Sequence, residues 1–286
     1  MSSRINKIFD AVFVINLDRS PDRLQQIDKY LKKLGIKYER IEAVDGGNLS
    51  QEEISAIATK NCKRFCTKAS IGCAMSHINT WKQIKKRKLR SAIVLEDDAI
   101  FCEDFEKRFL RSWKDVPSDW SFVNIGCVSG CGDRKNYSAL DWGNTTLVKL
   151  SDWVYNVNRK GGTQITKNLA IPDGPTGTHC YAISNDGATI LLNELEKIPY
   201  IGHIDMLINS YGADKLHRYA FTDGNIVNQP LSTESSTIGG GGPPYTLNWM
   251  ADKIQVNKRG VNLGWLMSET GIRVGPFEIC AWDGVF

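Results

Sequence analysis

Long apolar runs are missing from this chain. The longest clean one, Ala11 to Ile15, is about five residues, against the roughly 20 that a helix needs to cross a bilayer. No membrane span is therefore expected. The first ten residues carry Arg4 and Lys7 but no apolar core of signal-peptide length, so the expectation is a soluble, cytoplasmic protein. A strong charge of either sign is missing too, and a net charge of +4 is too mild to imply nucleic acid as a partner. Cysteine use is modest, with eight in 286 residues. Cys62 and Cys66 share the spacing of Cys127 and Cys131, but the usual zinc knuckle has two intervening residues, not three, and no compact ligand block follows. Without a secretion signal, free thiols are the expected state. Sequons at Asn48, Asn136 and Asn144 carry weight only in a secretory protein. No internal repeat is visible.

What is present is the composition of an ordinary globular protein, 42% hydrophobic and 24% charged, long enough for one or two domains. "AVFVIN" (residues 11–16) reads as a buried strand. Ser20-Pro21 then opens a helix with a stripe of Leu24, Ile27, Leu31 and Leu34, which Gly35 closes. A strand is expected at about Ile36 to Ile41. Ser50 and Glu53 form a capping box for a short helix to about Lys60, and a longer helix is expected from Ser70 to Lys88. "SAIVL" (91–95), "SFVNIG" (121–126), "THCYAIS" (178–184) and "HRYAF" (217–221) read as further strands, with helices near Glu103 to Trp113 and after Ser184. Strands alternating with helices predict an α/β domain with a mostly parallel central sheet flanked by helices. Residues 127–175 and "TIGGGGPPY" (237–245) read as loops or flexible connections.

The stretch "SAIVLEDDAIF" sets Glu96, Asp97 and Asp98 directly after a buried strand. In such sheets ligands bind at the carboxyl ends of strands. Alternation in an extended segment lets Glu96 and Asp98 converge while Asp97 faces away. Carboxylates so placed suit a hard divalent ion, Mn²⁺ or Mg²⁺, of the kind that serves phosphate oxygens. Among acidic triplets in general a solvated cluster is the commoner outcome; the buried strand in front favours function here.

These residues also carry a family resemblance. The acidic stretch follows "ASIGCAMSHINTWKQI" (69–84), and the chain opens with "VFVINLDRSPDRLQQIDKYLKKLGIKYERIEAVDG" (12–46). "GTHCYAISNDGATILL" (177–192), "IDMLI" (204–208) and "VNQPLSTESSTI" (227–238) come later in the same order. Together they resemble glycosyltransferase family 25, which contains lipooligosaccharide galactosyltransferases, collagen hydroxylysine galactosyltransferases and viral members. The resemblance implies a GT-A-type nucleotide-sugar-binding domain over residues 8–238, a UDP-sugar donor, a divalent metal at the acidic motif, and inversion at the anomeric carbon. Residues 239–286 lie outside it and are expected as a C-terminal extension packed on the same domain.

On that resemblance, Asn16, Leu17, Asp18 and Arg19, after the first strand, meet the nucleotide, with Arg19 or Arg23 on phosphate. Ala43, Asp45 and Gly46 follow the second strand, Asp45 toward uracil or ribose. Gly72 lets backbone N–H groups approach an anion. His77 and Trp81 share a helix face and either touch the nucleotide or buttress the metal strand, and Asp97 falls on the nucleotide side. Glu96 and Asp98 are the expected metal ligands. The third is His179, ahead of His203 and His217, with Gln229 as an oxygen donor in reserve. Asp205, at the start of a short helix, is the expected general base, with Glu234 and Asp173 in reserve.

The expected activity is transfer of a hexose, galactose or glucose, from a UDP-sugar to a hydroxyl of a glycan, lipooligosaccharide or collagen-like acceptor. The alternative is a sugar-nucleotide or glycan-binding module without turnover, which the intact "LEDD" disfavours. A metal-dependent phosphohydrolase needs more ligating acids or histidines at separate strand ends than this chain offers.

Overall fold

The computed structural model describes residues 3–58, 66–127, 131, 162–197, 203–212, 215–223, 226–229, 256–257 and 260–261. Glu234, Cys62, Asn136, Asn144 and residues 237–245 lie outside them. The chain divides into two compact units, Met1–Leu231 and Ser232–Phe286. In the second, the described elements are β11 (Val256–Asn257) and β12 (Gly260–Val261), an antiparallel pair.

The first unit is a mixed α/β fold around an eight-stranded sheet. Its strands are β1 (Ala11–Asn16), β2 (Glu39–Glu42), β3 (Ser91–Glu96), β5 (Phe122–Asn124), β6 (Thr163–Gln164), β7 (Leu169–Ile171), β8 (Cys180–Ser184) and β9 (Arg218–Phe221), in the order β2-β1-β3-β8-β5-β9-β7-β6. The sheet is mostly parallel in strand direction, with β8 and β7 running against the rest. The parallel trio β2-β1-β3 requires crossovers. These are supplied by α2 (Pro21–Lys33) and by α3 (Gln51–Ile57) with α4 (Lys68–Lys86). A short α1 (Ile5–Ile8) precedes β1, and β4 (Ile100–Phe101) pairs with β10 (Val227–Asn228).

Alternation along β3 divides the core into two layers. Ala92 and Val94 face a cluster with Phe13, Tyr181 and Phe122, covered by Trp81 of α4, Leu191 of α6 (Asn185–Lys197) and Leu207 of α7 (Ile204–Gly212). Ile93 and Leu95 face Val12, Val14 and Ala182, covered by Ile27 and Leu31 of α2 and by Phe105 and Phe109 of α5 (Phe105–Trp113). Burial on both faces is why β1 and β3 read as continuous apolar runs and not as alternating ones.

Several local expectations shift. Gly35, at φ 66°, ends α2, and Ile36 N–H reaches back to the Leu31 carbonyl at 2.9 Å. Ile36 is thus part of the helix's closing turn, and the strand starts later, at Glu39. The capping box of Ser50 and Glu53 is present. Ser20 stands at the N-cap of α2 without a side-chain cap bond. α4 begins two residues before the expected Ser70, because the Thr67 hydroxyl caps it by accepting from Ser70 N–H. Free thiols are not the state of every cysteine: Cys127 and Cys131 are disulfide-bonded, since their spacing leaves the Cα atoms 6.2 Å apart, within bridging range. Cys66 is also in a disulfide. Among the described residues no helix is long and apolar enough to cross a membrane.

Candidate functional site

Because β2, β1 and β3 are parallel, their carboxyl ends share one edge. Asn16, the segment from Ala43 to Gly46, and Glu96 to Asp98 therefore meet there, as predicted for a ligand crevice. The turn after β3 opens in two directions.

Toward β1 and α2 the charges around Asp97 and Asp45 are partnered. Asn16 is buried; its amide donates to Asp97 Oδ2 at 2.7 Å and to the Ser20 carbonyl at 3.0 Å, and its own oxygen accepts from Arg40 Nε at 3.0 Å. Arg23 reaches Asp97 Oδ1 at 2.8 Å and lies 3.5 Å from Asp98. It is the cation that three adjacent acids require. Arg40 also pairs with Asp18, and Arg19 Nε donates to Asp45 at 2.8 Å. Arg19 first, then the Gly47 N–H, hold the Asp45 carboxyl below the usual range. Leu17 lies in the turn, its carbonyl accepting from Ser20 N–H, and Ala43 N–H donates to the Asn16 carbonyl at 3.0 Å. The predicted nucleotide residues thus converge, but their charged members are bonded to one another.

Gly46 and Gly72 meet for a different reason than anion binding. A Cβ on Gly46 would run into the Lys68 carbonyl, and one on Gly72 would come within 2.5 Å of Gly46 N and the Val44 carbonyl. Gly72 is also the fifth residue of α4, inside the helical ladder and past the free N–H groups of the first turn. Its role is close packing of α4 on the loop after β2.

Toward α4 and β8 the picture differs. Glu96 Oε1 accepts from the Thr178 hydroxyl at 2.6 Å, and His77 Nε2 stands 3.3 Å away, in ion-pair range but off hydrogen-bond alignment. Burial pushes the Glu96 carboxyl up, but His77, Thr178 and His179 together pull it below the ordinary range. Asp98 is pushed up to about 7, by burial first and then by the charge of Glu96, against the pull of Arg23. Its Oδ1 is buried without a hydrogen-bond partner, and so is His179 Nδ1. His179 Nε2 lies 3.1 Å from the Val227 carbonyl, a contact that leaves no room for a Cβ at Gly126. Burial first pushes the His179 ring down, which favours its neutral form.

His77 is buried in α4, its Nδ1 2.9 Å from the Tyr181 hydroxyl, which Trp81 Nε1 also reaches at 2.9 Å. Of the two roles open to His77 and Trp81, this geometry is that of a buttress. Among the described residues, the group of potential ligand atoms that closes within 4.8 Å is Cys73, His77 and Glu96; Glu96, Asp98 and His179 do not form such a group. Cys73 lies among all the acids of the site: its thiol is pushed well up by burial, then by Glu96, Asp205, Asp98 and Asp97.

Asp205, in the first turn of α7, belongs to the same neighbourhood. It accepts from Gly177 N–H at 3.4 Å and from Met206 N–H at 2.8 Å. One turn on, Asn209 accepts from Arg218 at 2.5 Å, and Arg218 also donates to Asn124 while lying over the Phe122 ring. Burial pushes Arg218 down to about 9 against the pull of Asp205. His217 pairs with Asp119 at the surface and takes no part in this site. Cys73, Thr178, Tyr181 and Arg218 were not expected here. Cys73 alone left a signal, four residues before His77 on one helix face.

The sequence model of glycosyltransferase family 25 (LPS biosynthesis protein) matches residues 9–208. Procollagen galactosyltransferase 2 of Mus musculus is 31% identical over 129 residues, covering 41% of this chain and 21% of that protein. Procollagen galactosyltransferase 1 of Danio rerio is 35% identical over the same length and the same shares. A human relative, "Inactive glycosyltransferase 25 family member 3", is 33% identical over 137 residues, 44% of this chain and 23% of its own. The chain matches about a fifth of the length of these curated relatives. A solved glycosyltransferase involved in glycosylation of the major capsid of PBCV-1 aligns over 75% of this chain and 93% of its own, at 9% identity and a TM-score of 0.30, too slight a likeness to carry an argument. The family match spans most of the chain: it belongs to glycosyltransferase family 25.

Proposed function

We propose that this family 25 chain transfers a hexose, galactose or glucose, from a UDP-sugar to a hydroxyl of a glycan or of hydroxylysine, with inversion at the anomeric carbon. The observation that carries the reading is the pair of buried acceptors without partners, Asp98 Oδ1 and His179 Nδ1, beside Glu96 at the carboxyl end of β3. Unmet acceptors around a carboxylate suit a cation, and because these ligand atoms do not close within 4.8 Å of one another, they would have to draw together to hold it. Glu96, Asp98 and His179 would hold Mn²⁺ or Mg²⁺, and such an ion supplies charge neutralisation at a leaving diphosphate. The names of the procollagen galactosyltransferases support galactose and a procollagen-like acceptor.

The chain's own residues supply the rest. Asn16, Arg19, Arg23 and Asp45, at the ends of β1 and β2, offer donors and acceptors to a nucleotide by exchanging bonds they now make among themselves. Asp205 takes the proton of the acceptor hydroxyl, as an inverting displacement requires. Its position in the first turn of α7, within the electrostatic reach of Cys73 and Arg218, supports that role. The disulfide at Cys127 and Cys131 supports an oxidising compartment over the cytoplasm.

The decisive experiment is a screen of UDP-sugars for Mn²⁺-dependent UDP release, with and without hydroxylysine or lactose-type acceptors. Release with one donor supports the transferase. The human relative named as inactive favours a second reading, a binding module without turnover; UDP-sugar binding by calorimetry with no UDP released would decide for it.

A further inference from the structure

Two histidines flank Glu96, and the polarity of their hydrogen bonds sorts them into different roles. Trp81, Tyr181 and His77 are fully buried. An indole N–H donates and never accepts, so the 2.9 Å contact of Trp81 Nε1 with the Tyr181 hydroxyl has one direction. The same hydroxyl lies 2.9 Å from His77 Nδ1. Among the described residues these are its two partners, and it has one proton to place. Were Nδ1 to carry a hydrogen, Tyr181 would accept twice and its own proton would be buried without an acceptor, a state that buried polar groups avoid. The Tyr181 proton therefore points to Nδ1, and the ring hydrogen of His77 sits on Nε2, 3.3 Å from Glu96 Oε1 as an electrostatic contact that is not aligned as a hydrogen bond.

We infer that Trp81, Tyr181 and His77 form a one-way donor chain that turns the His77 Nε2–H toward Glu96, which makes His77 a positioning residue for that carboxylate, through the electrostatic contact, and not a metal ligand. The inference rests on the reading of Glu96 as part of a metal site. It separates the convergent trio of Cys73, His77 and Glu96 from a ligand set, because a ring nitrogen that holds a hydrogen has no lone pair to give. His179 is in the opposite state. Its Nε2 faces the Val227 carbonyl, which only accepts, so the hydrogen is there and Nδ1 keeps a lone pair with no partner. Metal-bound histidines commonly donate their other N–H to a carbonyl or carboxylate in this way.

The test begins on the metal-free protein with ¹⁵N-labelled histidine rings. His77 is expected as the Nε2–H tautomer in the wild type, and Tyr181→Phe is expected to release that preference. Mn²⁺ titration by calorimetry then reads the positioning role. His77→Leu is expected to weaken Mn²⁺ binding about 10- to 100-fold, as outer-shell losses do, while His77→Gln, whose amide N–H can still face Glu96, stays within about threefold of wild type. A wild-type His77 with its hydrogen on Nδ1 overturns the chain. A Gln variant as weak as the Leu variant overturns the positioning role. So does a Co²⁺-loaded protein with a thiolate charge-transfer band that Cys73→Ser abolishes. A wild type that binds neither ion overturns the metal reading and the positioning role together, and the tautomer still decides the chain.

Discussion

Asp97 and Asp98 are neighbours with the same side chain, yet the two directions they face put them in opposite states. Both oxygens of Asp97 are occupied, by Asn16 and Arg23. Asp98 touches the same arginine only at 3.5 Å, and its Oδ1 has no hydrogen-bond partner. The Asp97 side is a clamp: it ties the turn after β3 to β1 and α2 with bonds that are complete without a ligand. On the Asp98 side, Glu96 is held from behind by Thr178 and His77, while Asp98 and His179 present unmet acceptors. On the proposed reading, stability and binding fall to opposite faces of one three-residue motif. Each substitution below tests whether that division holds.

The largest effect is expected on the open face. Asp98→Ala should reduce Mn²⁺-dependent UDP release by about 10⁴-fold, matching the several kcal/mol that a divalent ion contributes at a leaving diphosphate. The purified variant should melt no lower than the wild type, because it loses one member of a repulsive cluster. Near-wild-type release would show that the unmet acceptors serve no ion. Asp205→Asn comes next. It should leave UDP-sugar binding in place while transfer to the acceptor falls by about 10²- to 10³-fold, within the usual worth of general base catalysis. Loss of binding and transfer together would mean that Asp205 holds the donor.

On the clamped face the effect should appear as stability. Asp97→Asn leaves the half-buried Arg23 with one good partner fewer and should cost about 2 kcal/mol in urea unfolding, the scale of a broken charge-assisted bond. Mn²⁺ affinity should change little. The two faces should also differ with pH. Asp98 in the folded chain holds its proton to about pH 7, above the ordinary carboxylate range of the unfolded chain. The folded state therefore binds that proton more tightly, and stability from this group falls as pH rises from about 4 to about 7 and is level beyond. Asp98→Asn should remove that decline and be more stable than wild type at pH 8, by on the order of 4 kcal/mol. Unfolding curves that stay parallel between pH 5 and pH 8 would contradict the raised value.

The difference between the faces was only partly legible in the sequence. The apolar run of β3 followed by three acids announced a strand end and a ligand edge, and Ser50 with Glu53 announced a helix start, because both signals are local. The tautomers of His77 and His179 are set by Tyr181 and Val227, which lie 104 and 48 residues away, and no spacing reveals that. Gly72 suggested an anion site by its place near a helix start. Its need for a missing Cβ comes instead from Gly46 and Val44, brought against it by the crossover from β2. Arg23 was expected, as an alternative to Arg19, on phosphate, and its pairing with Asp97 depended on where α2 would dock.

Asp45 offers the smallest and most specific test, because it stands where the clamp would have to yield to a ligand. Its carboxylate accepts from Arg19, whose side chain is 55% exposed, and from Gly47 N–H. An exposed ion pair of that kind contributes little to folding, about 0 to 1 kcal/mol, so Asp45→Ala should leave unfolding nearly unchanged. If Asp45 gives up Arg19 to bind uracil or ribose, the variant should lose about 1 kcal/mol of UDP affinity, roughly a fivefold rise in Kd by calorimetry. Arg19→Ala separates the alternatives. Should Arg19 serve only to hold Asp45 away from the nucleotide, its removal should leave UDP binding equal or tighter. Should Arg19 bind phosphate, both variants weaken and the double variant weakens further. An unchanged Kd in Asp45→Ala would place this carboxylate with Asp97, among the groups that hold the edge together and never meet the donor.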